Sequence, residues 1–234
     1  MHEPNQIKPP ADSKPTGGIK QKMAYHPALL GGIALIAGAL LVFADAGTKG
    51  EIAARQAEDL RASLTQVVGD DVHDNALLSD TIVLHAPLEF SDASGVKFYR
   101  ARKDGKVVAA AFEVVGMGYS GEIRIMMSVQ TDGTIMGVRV IQHAETPGLG
   151  DKIEARKTDW IKRFTGLSLG NRTEAQWKVK KDGGEFDQFS GATITPRAVV
   201  RAVHKGLAYF NAHRAEILDT KTLPGGPDAE VPHG

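Results

Sequence analysis

The sequence predicts an α+β fold in which one N-terminal transmembrane helix precedes a domain built on an antiparallel sheet. Three observations carry this. Met23 to Ala44 contain no Asp, Glu, Lys or Arg. Further on, two pairs of β-type segments are each joined across an Asp-Gly dipeptide. Near the C-terminus, apolar residues recur at helical spacing after a Thr-Pro start signal.

Residues 1–22 are rich in proline, glycine and polar groups without periodicity and read as a disordered tail. ALLGGIALIAGALLVFA, starting at Ala28, is apolar throughout. About 20 helical residues cross a bilayer core, so residues 23–46 are expected to form an uncleaved anchor. Two other readings stand beside it: a buried core helix, and a signal peptide cleaved at Ala44-Asp45-Ala46. The apolar run is longer than a usual signal-peptide core, and it is apolar all round, which suits lipid better than the core of a small protein. Lys14, Lys20 and Lys22 precede the span, while mixed charges follow it, so the N-terminus is expected in the cytoplasm and the main domain outside. Gly31, Gly32 and Gly38 give the span a small-residue face suited to close helix contact.

From about Thr48 to Val68, Ala53, Ala57, Leu60, Leu64 and Val67 predict an amphipathic helix. VKFYRAR (96–102) and VVAAAFEVV (107–115) flank Asp104-Gly105; IRIMMSVQ (123–130) and IMGVRVIQ (135–142) flank Asp132-Gly133. Asp-Gly tolerates positive φ at both positions, so each pair reads as a hairpin. The segment 143–164 begins as a Gly/Pro loop and is expected to end as a helix capped by Asp151, with Glu154 three residues on. Residues 177–189 read as a short strand and a turn. Thr195 is expected as N-cap and Pro196 as first residue of a helix running to about His213. The domain then spans 47–218, and 219–234 is a flexible tail.

The 234 residues carry 28 basic and 28 acidic side chains, which gives no electrostatic footprint for nucleic acid. There is no cysteine, so disulfides, thiolate zinc sites and cysteine-held iron–sulfur clusters are excluded. His143 and Glu145 do not make a metal ligand set by themselves. Ser190 lacks the elbow of a serine nucleophile, so a hydrolase using Ser190 and His204 is a poor fit. GMGYSGEI (116–123) is followed by a strand and not a helix, which defeats a dinucleotide-binding reading.

Three short stretches remain. DQFSGATITP (187–196) sets Ser190, Thr193 and Thr195 around Gly191-Ala192 ahead of a helix, a suitable place for a phosphate. A cap explains Thr195 but leaves Thr193 without a task. ETPGLG (145–150) and GYSG (118–121) offer glycine backbone to a flat ligand. Taken in order, GYSGEI, HAETPGLGDKI and DGGEFDQFSGATITPRAVV resemble the G subunit of Rnf-type (including Rsx-type) ion-translocating electron-transport complexes, over most of residues 20–215. The C subunit of the sodium-pumping NADH:quinone reductase shares S-G-A-T and E-T-P-G-L-G and is the alternative.

The resemblance implies an extracytoplasmic FMN-binding domain on a single-pass anchor in the bacterial inner membrane. It implies FMN bound covalently through a phosphoester to Thr193. Asp187, Ser190, Gly191 and Ala192 match the recognition signature of a flavin transferase. Glu145, Thr146, Gly148, Leu149, Gly150 and Tyr119 match loops near the flavin, with Thr195 beside them. The partners implied are the other membrane subunits and the transferase. The role implied is that of a non-autonomous redox subunit, a translocase component linking ferredoxin and NAD(H) chemistry to ion movement. No residue is expected as a catalytic acid, base or metal ligand. A membrane-anchored scaffold domain without redox function is the reading from another class.

Overall fold

The computed structural model describes residues 18–85 and 95–219; side chains of 18–28, 44–46, 49, 52 and 53 are outside that description, as are most of both predicted tails. The chain divides into two units, one ending at Gln56 and one beginning at Ala57. The helix predicted in two pieces is a single element, α1 (Gly18–Val68). Among the described residues no helix is long and apolar enough to cross a membrane. Within the first unit, the large apolar side chains from Leu29 to Phe43 are exposed.

In the second unit five strands form an antiparallel meander in the order of the sequence: β1 (Thr81–Leu84), β2 (Val96–Lys103), β3 (Lys106–Met117), β4 (Glu122–Gln130) and β5 (Ile135–Gln142). Both expected hairpins are present. Asp104 and Gly105 both take positive φ, 51° and 75°, as a tight β2–β3 turn requires. At the β4–β5 turn only Gly133 does, and Asp132 instead accepts the Thr134 N–H, giving a longer loop.

Alternation along the strands splits the sheet into two faces. Phe112 and Val114 on β3, with Ile125 and Met127 on β4, point to α2 (Ile194–Ala212), which lays Val199, Val203, Leu207 and Phe210 on them. Gly206 lets α2 settle here: a Cβ would lie 2.7 Å from Val114 Cγ1 and 2.9 Å from Met127 Sδ. On the opposite face Ala101, Ala109, Ala111 and Met126 meet Leu64, Val67 and Val68 at the end of α1. The alanines keep this layer thin. Gly137 lies against the Val67 backbone, and the Ser128 hydroxyl donates to the Val67 carbonyl.

Two local expectations fail. The helix predicted to end segment 143–164 is replaced by 3₁₀ turns at Gly150–Ile153 and Trp160–Phe164. Thr158 breaks the path, its hydroxyl donating to the Lys152 carbonyl at 2.6 Å and accepting the Trp160 N–H at 3.2 Å. Such local side-chain bonds compete with helix. Asp151 is not a cap; it sits inside the first turn, paired with Lys157. The strand expected in 177–189 reduces to an isolated bridge between Val179 and Phe186, around a 3₁₀ turn at Lys180–Asp182. Its aromatic residues serve a cluster instead: Phe186 stacks on Phe164 at 4.7 Å, and Phe189 meets Trp160 edge-on at 5.2 Å. A four-residue strand, β1, and a short helix α3 (Arg214–Ile217) were not anticipated.

Candidate functional site

One buried carboxylate draws the three sequence motifs together. Glu145 is 5% exposed. Its Oε1 accepts the Ser120 N–H of the β3–β4 turn at 3.0 Å, and its Oε2 accepts the Thr195 hydroxyl from the first turn of α2. Loops 25 and 50 residues away are thereby tied to one side chain.

Two of the glycines exist to make room for it. A Cβ on Gly118 would stand 2.3 Å from Glu145 Oε1, and one on Gly150 would stand 2.7 Å from Oε2 and 2.9 Å from Thr195 Oγ1. The turn itself closes through Gly118 N–H to the Gly121 carbonyl at 2.8 Å. The ETPGLG loop winds around the Thr146 carbonyl, which accepts the N–H groups of Leu149 and Gly150, both at 3.1 Å. Gly148 passes through φ 79° to allow this.

The start of α2 departs from expectation. Thr195 is not the N-cap: it lies one residue inside the helix, is fully buried and serves Glu145. Pro196 accordingly sits in the first turn but not at the first position, and still forfeits no intrahelical bond there. Thr193 occupies the cap position, in a helical conformation (φ −75°), and its side chain makes no capping bond. It is half-buried, with a hydroxyl not committed to the helix. Gly191 precedes it at φ 80°, and Leu149 Cδ2 would be 3.4 Å from a Cβ there, so the S-G-A-T turn and the ETPGLG loop are neighbours.

Four large apolar side chains belong to these same loops or flank them, and all are exposed: Met117, Tyr119, Leu149 and Ile194, the last two at 42% and 45%. Tyr119 and Leu149 are among the expected residues. Met117 and Ile194 had no signal in the sequence beyond adjacency to the motifs. Ser190 and Thr146 are exposed, and Ala192 is half-buried, its N–H donating to the Phe189 carbonyl at 3.1 Å. Asp187 is turned elsewhere: its carboxylate pairs with Lys180 at 2.5 Å and with Arg163, which hold it below the usual carboxylate range. Its carbonyl accepts the Trp160 indole N–H at 2.8 Å.

His143 supports the site from behind, a role its spacing did not reveal. Its Nδ1 accepts the Glu145 N–H at 3.0 Å, so the ring proton is on Nε2, facing Glu154 Oε1 at 3.1 Å. Glu154 also pairs with Arg156, and these two partners hold its carboxyl below the usual range. Hydrogen bonding from Lys157 does the same for Asp151, aided by the Gly148 backbone. A carboxyl depressed on folding stabilises above its unfolded pKa and loses that contribution as pH falls through the folded value. Amides of 150–157 are therefore expected to lose hydrogen-exchange protection below about pH 4, ahead of the sheet. Protection unchanged down to the global acid transition would contradict this.

Glu145→Ala is expected to leave the buried Thr195 hydroxyl without its acceptor, at about 1–3 kcal/mol, and to free the Ser120 N–H of the exposed turn. Denaturant titration should show the loss. Glu145→Gln, which keeps an acceptor for Ser120, should lose less.

Residues 118–208, from the Gly118 turn to the last turns of α2, match the FMN-binding domain family. The G subunit of the ion-translocating oxidoreductase complex of Cereibacter sphaeroides is 53% identical over 190 residues, 81% of this chain and 85% of that protein. The proteins of the same name from Vibrio vulnificus and Shewanella loihica are 45% and 41% identical, covering 76% and 86% of this chain and 85% and 95% of theirs. The chain belongs to this family of G subunits. A solved structure, that of the C subunit of the Na(+)-translocating NADH-quinone reductase from Parabacteroides distasonis, aligns at a TM-score of 0.41 with 18% identity, over 72% of this chain and 95% of that one.

Proposed function

We propose that this chain carries FMN in phosphoester linkage to Thr193 Oγ1 and relays electrons through it, as one component of a membrane complex that couples redox chemistry between ferredoxin and NAD(H) to ion translocation. The observation that carries the reading is the uncommitted Thr193 hydroxyl at the N-terminus of α2, beside glycine turns and an exposed apolar ledge. Family membership and the FMN-binding domain match support it.

The residues fit the group. A helix N-terminus presents free N–H groups and a positive dipole end to a phosphate, worth about 0.3–1 kcal/mol where exposed. That is too weak for retention, so a covalent bond at Thr193 would be the tether. Met117, Tyr119, Leu149 and Ile194 would offer apolar contact to a planar ring, and Glu145 would hold the loops that present them. The bound flavin supplies one- and two-electron chemistry, which hydrogen bonds and nearby charge tune. Ser190, Gly191, Ala192 and Asp187 would be read by the flavin transferase; the exposure of Ser190 and the glycine turn at Gly191 leave that segment open to a second protein.

The anchor is part of the same proposal. Residues 23–46 would span the inner membrane with the N-terminus in the cytoplasm and the FMN domain outside. Nine exposed large apolar side chains between Leu29 and Phe43 support it, since such a surface is costly in water. No ionisable residue of the Asp, Glu, Lys or Arg type lies within 23–44, so ion conduction is assigned to partner subunits. The alternative in this class is a component of a sodium-pumping NADH:quinone reductase.

The test uses membranes that contain the whole complex. With reduced ferredoxin supplied, NAD reduction and ion uptake are expected, and both should fall to the background of membranes lacking this chain when Thr193 is alanine. Full activity in that variant would refute the relay. Activity with NADH and quinone but none with ferredoxin would select the alternative.

A further inference from the structure

A cavity of about 400 Å³ opens between α2 and the segment 174–182, on surface that the flavin reading does not use. Arg197, Arg201 and His204 enter it from α2, at spacings that place them along one side of the helix. Trp177, Lys178 and Asp182 enter from the other wall. Its size is that of a small-molecule site.

The charges do not cancel. Asp182 is taken by Arg197, whose Nε and Nη2 reach its two oxygens at 2.6 and 2.8 Å. Lys178 and Arg201 have no carboxylate within ion-pair distance among the described residues, although Lys178 acts on Asp182 through space. Glu174 on the rim is the remaining acid. Trp177 is 5% exposed, and its buried indole N–H has no acceptor among the described residues. A buried donor left unpaired is uncommon and calls for a reason. The His204 ring packs against the indole at 5.3 Å between centroids, and burial holds its pKa below the usual histidine value, against the opposing pull of Glu174. Titratable groups shifted by burial in a cleft mark binding sites more often than plain surface.

We propose that this cavity binds a small organic anion, a carboxylate or a phosphate ester, held between Lys178 and Arg201 beside the Trp177 ring. Each charged contact strengthens the site, while the Arg197–Asp182 pair fixes its wall without adding net charge.

The two tryptophans give a direct readout. Full-length protein in detergent, labelled with 5-fluorotryptophan, has two fluorine resonances. Trp160, whose N–H already donates to the Asp187 carbonyl, is the internal reference. Inorganic phosphate and benzoate are titrated separately at constant ionic strength, which also separates the two anion types. The expected result is a saturable shift of the Trp177 resonance with at least one probe, with Kd of about 1 mM or tighter, while Trp160 stays in place. Lys178→Ala combined with Arg201→Ala should weaken binding about tenfold or more. Both side chains are exposed, and an unmoved Trp160 resonance verifies the fold of that variant. A linear drift with both probes, or saturation unchanged in the double variant, would overturn the proposal. The signal arises at Trp177, so neither outcome depends on whether Thr193 bears a flavin.

Discussion

Thr193→Ala is expected to yield a folded protein without covalent flavin. After coexpression with the transferase and export, the native chain should fluoresce in a denaturing gel, and the variant should be dark. Folding should be spared because the Thr193 side chain makes no capping bond. A half-exposed substitution of that kind usually changes stability by less than about 0.5 kcal/mol. Thr195→Ala provides the contrast. Its hydroxyl is fully buried against Glu145, so its loss should cost about 1–3 kcal/mol and yet leave the attachment oxygen intact. One threonine thus governs loading and the other stability. A fluorescent Thr193→Ala band would place the flavin elsewhere, and a dark native band with verified transferase activity would favour the scaffold reading.

The largest stability effect is expected at the opposite end of the sheet. Arg100 is fully buried; its Nε and Nη2 reach Asp80 Oδ1 at 2.7 and 2.6 Å, and its Nη1 donates to the Asp219 carbonyl at 2.8 Å. Arg102 pairs with the other oxygen of Asp80. This cluster fastens the loop before β1 and the end of the described chain to β2. Arg100→Met removes the central cation and leaves a 4%-exposed carboxylate with one partner. Breaking a buried pair in this way costs about 3–5 kcal/mol. For a domain of this size that lowers Tm by about 10 °C. Asp80→Asn added to Arg100→Met should lower Tm further, because Arg102 then loses its carboxylate as well. A thermal melt of each variant in detergent decides it. A single-variant Tm within a degree or two of wild type would show that the pair contributes little.

The two hairpins, the antiparallel sheet and the face of α2 were legible in the sequence because each rests on local rules. Asp104-Gly105 specifies its turn through its own φ angles, and strand alternation separates Phe112 from Ala111 without reference to the rest of the chain. The motifs around Thr193 and Glu145 were legible as motifs. What they do was not. Thr195 looked like a cap because its partner lies 50 residues away, and no local pattern encodes that bond. The same limit applies to His143, whose Nδ1 contact depends on how the loop turns. Residues 150–164 carried a helical pattern, yet Trp160 and Phe164 are drawn into a cluster with Phe186, and Thr158 satisfies backbone groups that a helix would need. β1 escaped notice because four residues are too few to show alternation; β2 pairs with it from outside. Asp187 entered with the recognition signature that the resemblance implies; that its carboxylate pairs with Arg163 and Lys180 is a tertiary arrangement no local pattern encodes.

Covalent loading at Thr193 is read from the mass of the tryptic peptide Asp182–Arg197, taken from protein purified after export and transferase coexpression. The expected peptide is heavier by FMN less one water, with fragment ions placing the added mass on Thr193. An unmodified peptide, from cells in which a known flavin acceptor is fully loaded, would contradict it.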